Sequence, residues 1–368
     1  MMQITIPRDQ FLKPLIQVSG AIERKHTLPI LSNVLLEIAD GKLMMTGTDL
    51  EIELVACVTL SHFVEDSKLT LPAKKLLDIC KSLPDGSEIT LSAQDSQVLL
   101  TSGKSRFSLA SLPALDFPNL EQWDGEVDFQ ITRNELRKLL ESTHFSMANQ
   151  DVRYYLNGMS FEVDNSEIKT VATDGHRLAL SQKKLDYSLN TQRQLIIPRK
   201  GVQEIMRLMV SDDNLVTIQF GANHFRIIDQ EFTFTSKLVD GRFPDYRRVL
   251  PRGGDKVVTA NREWLRSAFS RVSILSNEKF RGVRLNFSAG ELKITANNPE
   301  QEQAEEIVEV VYSGPDLEIG FNVSYVLDVL NTLKTEDVSF TLSDSNSSAL
   351  VEGTGDDEAM YVVMPMRL

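Results

Sequence analysis

Ile168-Lys169-Thr170-Val171-Ala172-Thr173-Asp174 reads as a strand closing on small polar residues, and the chain writes this pattern three times. Leu43-Met44-Met45-Thr46-Gly47-Thr48-Asp49 stands 125 residues earlier and Leu292-Lys293-Ile294-Thr295-Ala296-Asn297-Asn298 stands 124 residues later. A second marker keeps the same period. Leu69-Thr70-Leu71-Pro72, Leu195-Ile196-Ile197-Pro198 and Glu318-Ile319-Gly320-Phe321-Asn322 each precede a helix-like run. Phe117-Pro118 and Phe243-Pro244 add a third, 126 residues apart. The period is too long for a solenoid unit and matches a whole domain. Boundaries near Gly125 and Gly253-Gly254 therefore divide the 368 residues into three similar domains, 1–125, 126–253 and 254–368.

Each copy mixes two patterns. Helix-like runs start near Arg8, Arg133 and Arg262; the apolar residues Leu136, Leu139 and Leu140 show the helical spacing. Pro14 interrupts the first of these runs. A second run per copy follows Pro72, Pro198 and Asn322, residues that suit a helix start. The remainder alternates in short β-rich runs, such as Ser105-Arg106-Phe107-Ser108-Leu109, separated by turns such as Asp40-Gly41 and Ala289-Gly290. The expectation is an α+β domain with two helices covered by antiparallel sheet, itself a duplicated half.

The chain has a formal net charge of −13, which excludes a generally basic nucleic-acid coat. The six helix-like segments nevertheless carry a net +8, so the remainder carries −21. Basic residues solvate helix faces in many proteins, but here glutamate lies mostly elsewhere. Helices sharing one surface would present a modest positive field to a phosphate backbone without reading its sequence. Two cysteines, Cys57 and Cys80, make no disulfide framework or thiolate metal site and fit a cytosolic compartment. No apolar run approaches the roughly 18 residues of a membrane span, and Met1–Asp9 lacks the charge-then-apolar order of a signal peptide.

The catalytic scan returns little. The five histidines form no metal-ligand spacing, so no metal and no cofactor is expected. Gly103-Lys104-Ser105 resembles the end of a phosphate-binding loop, but Val98 stands where that loop needs glycine. Asp174-Gly175-His176-Arg177 is the most enzyme-like stretch, and it also reads as a strand-end turn. Its counterparts, Asp49-Leu50-Glu51 and Asn298-Pro299-Glu300, keep no such pair, which favours the turn. The terminal Tyr361-Val362-Val363-Met364-Pro365-Met366-Arg367-Leu368 is either a last strand or an apolar wall with adaptable methionines. In Asp151–Gly158, arginine beside tyrosine suits contact with nucleic acid.

The three-copy layout, Thr46-Gly47-Thr48-Asp49, Thr173-Asp174-Gly175-His176-Arg177-Leu178, Asp240-Gly241-Arg242-Phe243-Pro244-Asp245-Tyr246 and the terminal Met364–Leu368 closely resemble the bacterial sliding clamps, the beta subunits of DNA polymerase III. The resemblance spans essentially the whole chain. It implies the DNA-clamp fold and a head-to-tail homodimer that closes as a ring, with helices lining the hole. Such a ring is non-catalytic, encircles double-stranded DNA regardless of sequence and tethers the polymerase III catalytic subunit. An ATP-dependent clamp loader opens it, and other DNA polymerases and repair proteins bind through short peptides. No membrane is involved.

By position, the resemblance implies a partner-peptide pocket between the second and third domains at Leu156, Thr173, Gly175, His176, Arg177, Leu178, Pro244, Arg248, Val249, Ser348, Val362, Val363, Met364, Pro365, Met366 and Arg367. It implies DNA contacts at Arg24, Gln150, Tyr154 and Tyr155, with Arg199 and Lys200 nearby. It implies a dimer interface at Lys75, Arg106, Phe107, Ile274, Leu275, Glu300, Glu302, Glu305 and Glu306. In that interface Ile274 and Leu275 supply apolar anchors and the acidic cluster faces Lys75 and Arg106. Two other classes remain open: a DNA-processing enzyme using Asp174 and His176, and a peptide-binding scaffold without DNA.

Overall fold

The computed structural model describes residues 3–23, 28–61, 64–94, 96–118, 123, 125–189 and 191–367. The six helices are α1 (Arg8–Val18), α2 (Ala73–Ser82), α3 (Arg133–Glu141), α4 (Arg199–Leu208), α5 (Arg262–Val272) and α6 (Val323–Thr332). Each starts directly after a strand, one ending at Pro7, Pro72, Thr132, Pro198, Asn261 or Asn322. The third repeat caps its helices with side chains. Asn261 Oδ1 accepts from the N–H groups of Glu263 and Trp264, and Asn322 Oδ1 from that of Ser324. Pro14 does not break α1; it is buried on the helix face with Phe11, Leu15 and Val18.

The leading arginine of each repeat is a fastener. Arg8 donates to the carbonyls of Cys80 and Lys81 at the end of α2, and Arg262 to those of Leu330 and Thr335 near the end of α6. A cation there satisfies carbonyls with no helical partner and opposes the helix dipole. Arg133, 8% exposed, instead makes a paired contact with Asp229 and a third with Asp212.

Every repeat consists of two strand–helix–three-strand halves, and the first strand of each half pairs with the three-strand meander of the other. In the first repeat Gln3–Pro7 lies beside Glu88–Gln94, and Ser67–Pro72 beside Asn33–Ala39. The expected duplication inside each domain is thus present in the topology.

The chain forms two compact units. The first, Met1–Asn134 with Gln203–Leu238, holds a four-stranded sheet and an eight-stranded one. The eight strands arise because Ile52–Thr59 of the first repeat pairs antiparallel with Phe232–Lys237 of the second, Leu54 opposite Phe234. The second unit, Glu135–Val202 with Val239–Leu368, repeats this arrangement. There Arg177–Lys184 pairs with Ala359–Val363, Ala179 opposite Tyr361. Phe234 and Tyr361 are 0% and 1% exposed, so both joints are part of the core. The two remaining last strands of this series, Gln303–Glu309 and Ser105–Ala110, each lie at one edge of a four-stranded sheet and have no outer strand partner among the described residues.

Candidate functional site

The Thr173-Asp174-Gly175-His176-Arg177 turn begins the strand that carries the second joint. Thr173 Oγ1 donates to the Arg177 carbonyl and accepts from the Gly175 N–H. Asp174 Oδ1 accepts from the N–H groups of His176 and Arg177 at 2.9 and 3.1 Å. Thr48 and Asp49 make the same four bonds with Leu50, Glu51 and Ile52. Both turns need a left-handed residue, Leu50 at φ 77° and Gly175 at φ 88°. The Asp174 carboxylate is therefore spent on turn geometry and on Arg177, which removes the acid–base reading of Asp174 and His176. The chemistry of Asp-Gly-His is that of a strand-end turn.

Arg177 binds this turn to its surroundings. Its side chain is 11% exposed. It donates to Asp174 at 3.1 Å, to the carboxylate of Asp328 on α6, and to the Phe145 carbonyl at 2.7 Å. The guanidinium also lies 4.5 Å over the Tyr325 ring, and His176 stacks on that ring at 6.5 Å. Beside it, Leu156, Leu178 and Val362 belong to one buried apolar cluster with Phe243 and Tyr246. Leu178 pairs with Val362 across the joint, and Arg177 with Val363, which packs into the neighbouring core. Past Val363 the chain continues as a lip. The Met364 N–H donates to the His176 carbonyl and that of Met366 to Gly320. Thr173, Ser348, Met364, Pro365 and Met366 are half-buried, and Pro244, Arg248, Val249 and Arg367 are exposed. The sixteen positions expected to form the pocket thus comprise buried apolar side chains, a rigid turn and exposed residues. The terminus is a strand as far as Val363, and Met364–Arg367 continue past it.

Two residues of this neighbourhood, Tyr325 and Asp328, escaped the sequence reading, and Arg153 entered it only as the arginine beside tyrosine. Arg153 pairs with Asp151 through two nitrogens and donates to the Asp174 carbonyl at 3.0 Å, passing directly over Gly175. The Arg153 hydrogen bonds hold the Asp151 carboxyl down at about 2. Tyr325 and Asp328 on α6 were invisible because only the fold brings them to Arg177. The signal was an aspartate and an aromatic on a helix otherwise poor in charge.

Of the DNA-contact positions, Arg24 lies outside the described residues. Gln150 is exposed in a left-handed turn at φ 56°, and Tyr154 is 56% exposed with its ring against Tyr155. Arg199 lies beside the loop of Gln150. It donates to the carbonyls of Met147 and Ala148 at 3.0 and 3.3 Å, bracing the loop that carries Gln150, and Lys200 is half-buried. Most helix cations are likewise partnered, for example Lys138 with Glu358 and Arg266 with Glu263. On α2, Lys74, Lys75 and Lys81 are exposed with no ion-pair partner among the described residues.

The interface positions gather at the two unpaired edges. Arg106 and half-buried Phe107 sit on Ser105–Ala110, and Lys75 on α2 of the same unit is exposed. At the other edge Ile274 is 75% exposed after α5, Leu275 is half-buried, and Glu300 and Glu302 are exposed. The acidic cluster is not idle. Glu305 pairs with Lys293 at 2.7 Å, Glu306 with Arg271 at 2.6 Å, and Glu302 accepts from Asn298. No group of metal-binding side chains occurs among the described residues, and no helix is long and apolar enough to cross a membrane.

Family models of the DNA polymerase III beta subunit match in succession: the N-terminal domain over residues 2–121, the central domain over 130–245 and the C-terminal domain over 247–367. The chain is 57% identical over 367 residues to the beta sliding clamp of Salmonella typhimurium and 56% identical to that of Escherichia coli K12, covering all of each. Among solved structures it is similar to the DNA polymerase sliding clamp of Pseudomonas aeruginosa crystallised with ligand, at 55% identity and TM-score 0.98. It is also similar to the Caulobacter crescentus polymerase III beta, at 37% identity and TM-score 0.94; both matches cover the whole of each chain. With every repeat matched in order and relatives spanned end to end, the chain belongs to the DNA polymerase III beta subunit family, the sliding clamps.

Proposed function

We propose that this sliding clamp, a non-catalytic processivity factor, works as a closed ring of two copies around duplex DNA. The observation that carries this reading is the pair of unpaired edges. The last strand of one repeat's first meander joins the last strand of the next repeat's second meander, twice within the chain. One strand of each kind is left over, Gln303–Glu309 and Ser105–Ala110. Joining them between two copies gives the same joint a third time, and a head-to-tail contact that closes is a ring.

The ladders fix the register. Leu54, Ala179 and Ala304 lie opposite Gly47, Ala172 and Ala296, at equivalent places in the three repeats. Phe234, Tyr361 and Phe107 lie opposite Ile227, Val351 and Leu100. Leu54 pairs with Phe234 and Ala179 with Tyr361, so Ala304 meets Phe107 of the other copy and Glu305 meets Arg106. Ile274 and Leu275 add apolar area, and Glu300, Glu302 and Glu306 lie within reach of Lys75.

The pocket around Leu156, Leu178 and Val362 then takes a short peptide with bulky apolar side chains, the mode by which the polymerase III catalytic subunit, the ATP-dependent loader, other polymerases and repair proteins take turns. Gln150, Tyr154 and Tyr155 touch the DNA, aided by Arg24 and Lys200, with Arg199 bracing their loop. The domains fall at 1–125, 126–253 and 254–368, and the compartment is the cytoplasm, where the DNA lies.

The test is topology-dependent retention. The protein is loaded with a compatible clamp loader and ATP onto nicked circular DNA, which is then linearised at salt that defeats ordinary phosphate contacts. Retention on circles and loss from linear ends supports encirclement. Equal loss from both, with loading shown to have occurred, refutes it in favour of surface binding.

A further inference from the structure

The second unit carries a groove of about 810 Å³ that the ring and the peptide pocket leave unused. It lies between the start of α5, the Ala289-Gly290 turn and the chain from Ile307 to Val311. Its apolar part is built of side chains that a solvated surface does not need: Trp264 is 63% exposed, Ile307 56% and Val311 76%. Trp264 stands off the buried stripe of α5, which is Leu265, Ala268, Phe269 and Val272. Ile307 interrupts an outward row of Gln303, Glu305 and Glu309. Exposed aromatic and branched side chains around one concavity mark a contact surface.

The rest of the lining selects the partner. Glu291, Glu309, Glu336 and Asp337 are all exposed there, and none forms an ion pair among the described residues. Four unpaired carboxylates repel phosphate, which excludes DNA as the occupant. A second copy does not fit either. The register above ends with Ser105 opposite Glu306, beyond which the other copy turns at Gly103, so only Ile307 lies beside the closing strand. We infer that the Trp264 groove docks a protein segment with a bulky apolar anchor flanked by lysine or arginine. Apolar contact supplies the residence time and the acidic rim supplies attraction and sign selectivity.

The experiment uses the full-length protein and a fluorescein-labelled hexapeptide in which an Ile-Trp pair is flanked by Lys-Arg on each side, followed by anisotropy. The expected result is saturable binding, weakened on the order of tenfold by Trp264→Glu and again by the double change Glu309→Lys plus Glu336→Lys. It weakens as salt rises and is unchanged when Met364–Leu368 is deleted. Equal affinity for the same peptide with Asp-Glu flanks, or insensitivity to Trp264→Glu, overturns the proposal. So does a tenfold gain on separating the copies with Phe107→Ala, which would mean that a second copy covers the groove.

Discussion

Phe107→Ala is the sharpest perturbation of ring closure. Its counterparts Phe234 and Tyr361 are sealed inside the two joints of the chain, at 0% and 1% exposure, whereas Phe107 at the free edge is half-buried. Truncating a fully buried phenylalanine costs about 3–5 kcal/mol. Part of that burial already exists in the single chain, so closure accounts for about 1.5 kcal/mol per joint. A two-copy ring has two such joints, giving about 3 kcal/mol and a rise in dimer Kd on the order of 100-fold. Sedimentation velocity over a dilution series reads this directly, with the melting temperature measured alongside to show that each subunit stays folded. Arg106→Ala, by contrast, removes only the proposed pairing with Glu305 of the other copy, an exposed contact worth about 0.5 kcal/mol. A Phe107→Ala dimer as tight as the parent, or one weakened less than the Arg106→Ala dimer, would refute the reasoning that the third joint copies the other two.

Further outcomes follow from the same contacts. Ile274→Ala with Leu275→Ala shifts the protein to monomer at concentrations where the parent is dimeric, checked by light scattering; an unchanged mass sinks that anchor. Deleting Met364–Leu368 abolishes binding of clamp-directed peptides in calorimetry and spares the dimer, because the sheet ends at Val363. Arg177→Ala leaves Asp174 and Asp328 without their shared cation and costs about 3 kcal/mol in urea unfolding, with loss of peptide affinity. Asp151 has its folded pKa depressed to about 2, so its contribution is complete above the unfolded value near 4 and is lost as pH falls toward 2. Exchange protection of the Arg153 amide therefore declines between those limits, and Asp151→Asn removes the pH dependence.

Much of this architecture was legible because the chain repeats itself. Three copies of one strand ending and three helix starts are independent readings of one pattern, and all six helices begin within a residue or two of the expected places. The α+β class followed from the switch between helical and alternating spacing. What the sequence hid was pairing between repeats. Nothing local to Ile52–Thr59 says that it joins Phe232–Lys237. The charge count along helices also overstated the free cations, since Arg8, Arg133 and Arg262 are consumed as fasteners. The surroundings of the Thr173–Arg177 turn were not legible locally, because Arg177 and Asp328 lie 151 residues apart.

The proposed third joint differs in composition from the two inside the chain in a way its fate explains. Inside the chain, the paired strands set Leu54 against Phe234, Leu178 against Val362 and Leu180 against Met360, apolar contacts that never need to part. The two free strands keep one aromatic, Phe107, and the aliphatic Leu109, Ala304, Ile307 and Val308, but they also carry Arg106, Gln303, Glu305 and Glu306. An unpaired edge must stay soluble before it finds its mate, and charges on it discourage wrong pairing. The glutamates are moreover occupied by Lys293 and Arg271 within their own chain, so forming the joint exchanges or extends ion pairs and gains little from them. Affinity then rests on a small apolar set, Phe107 with Ile274 and Leu275, while the charges set register. A joint with that division of labour closes in one alignment and opens for modest work, which a ring that must be placed around DNA requires of one joint type and not of the other two.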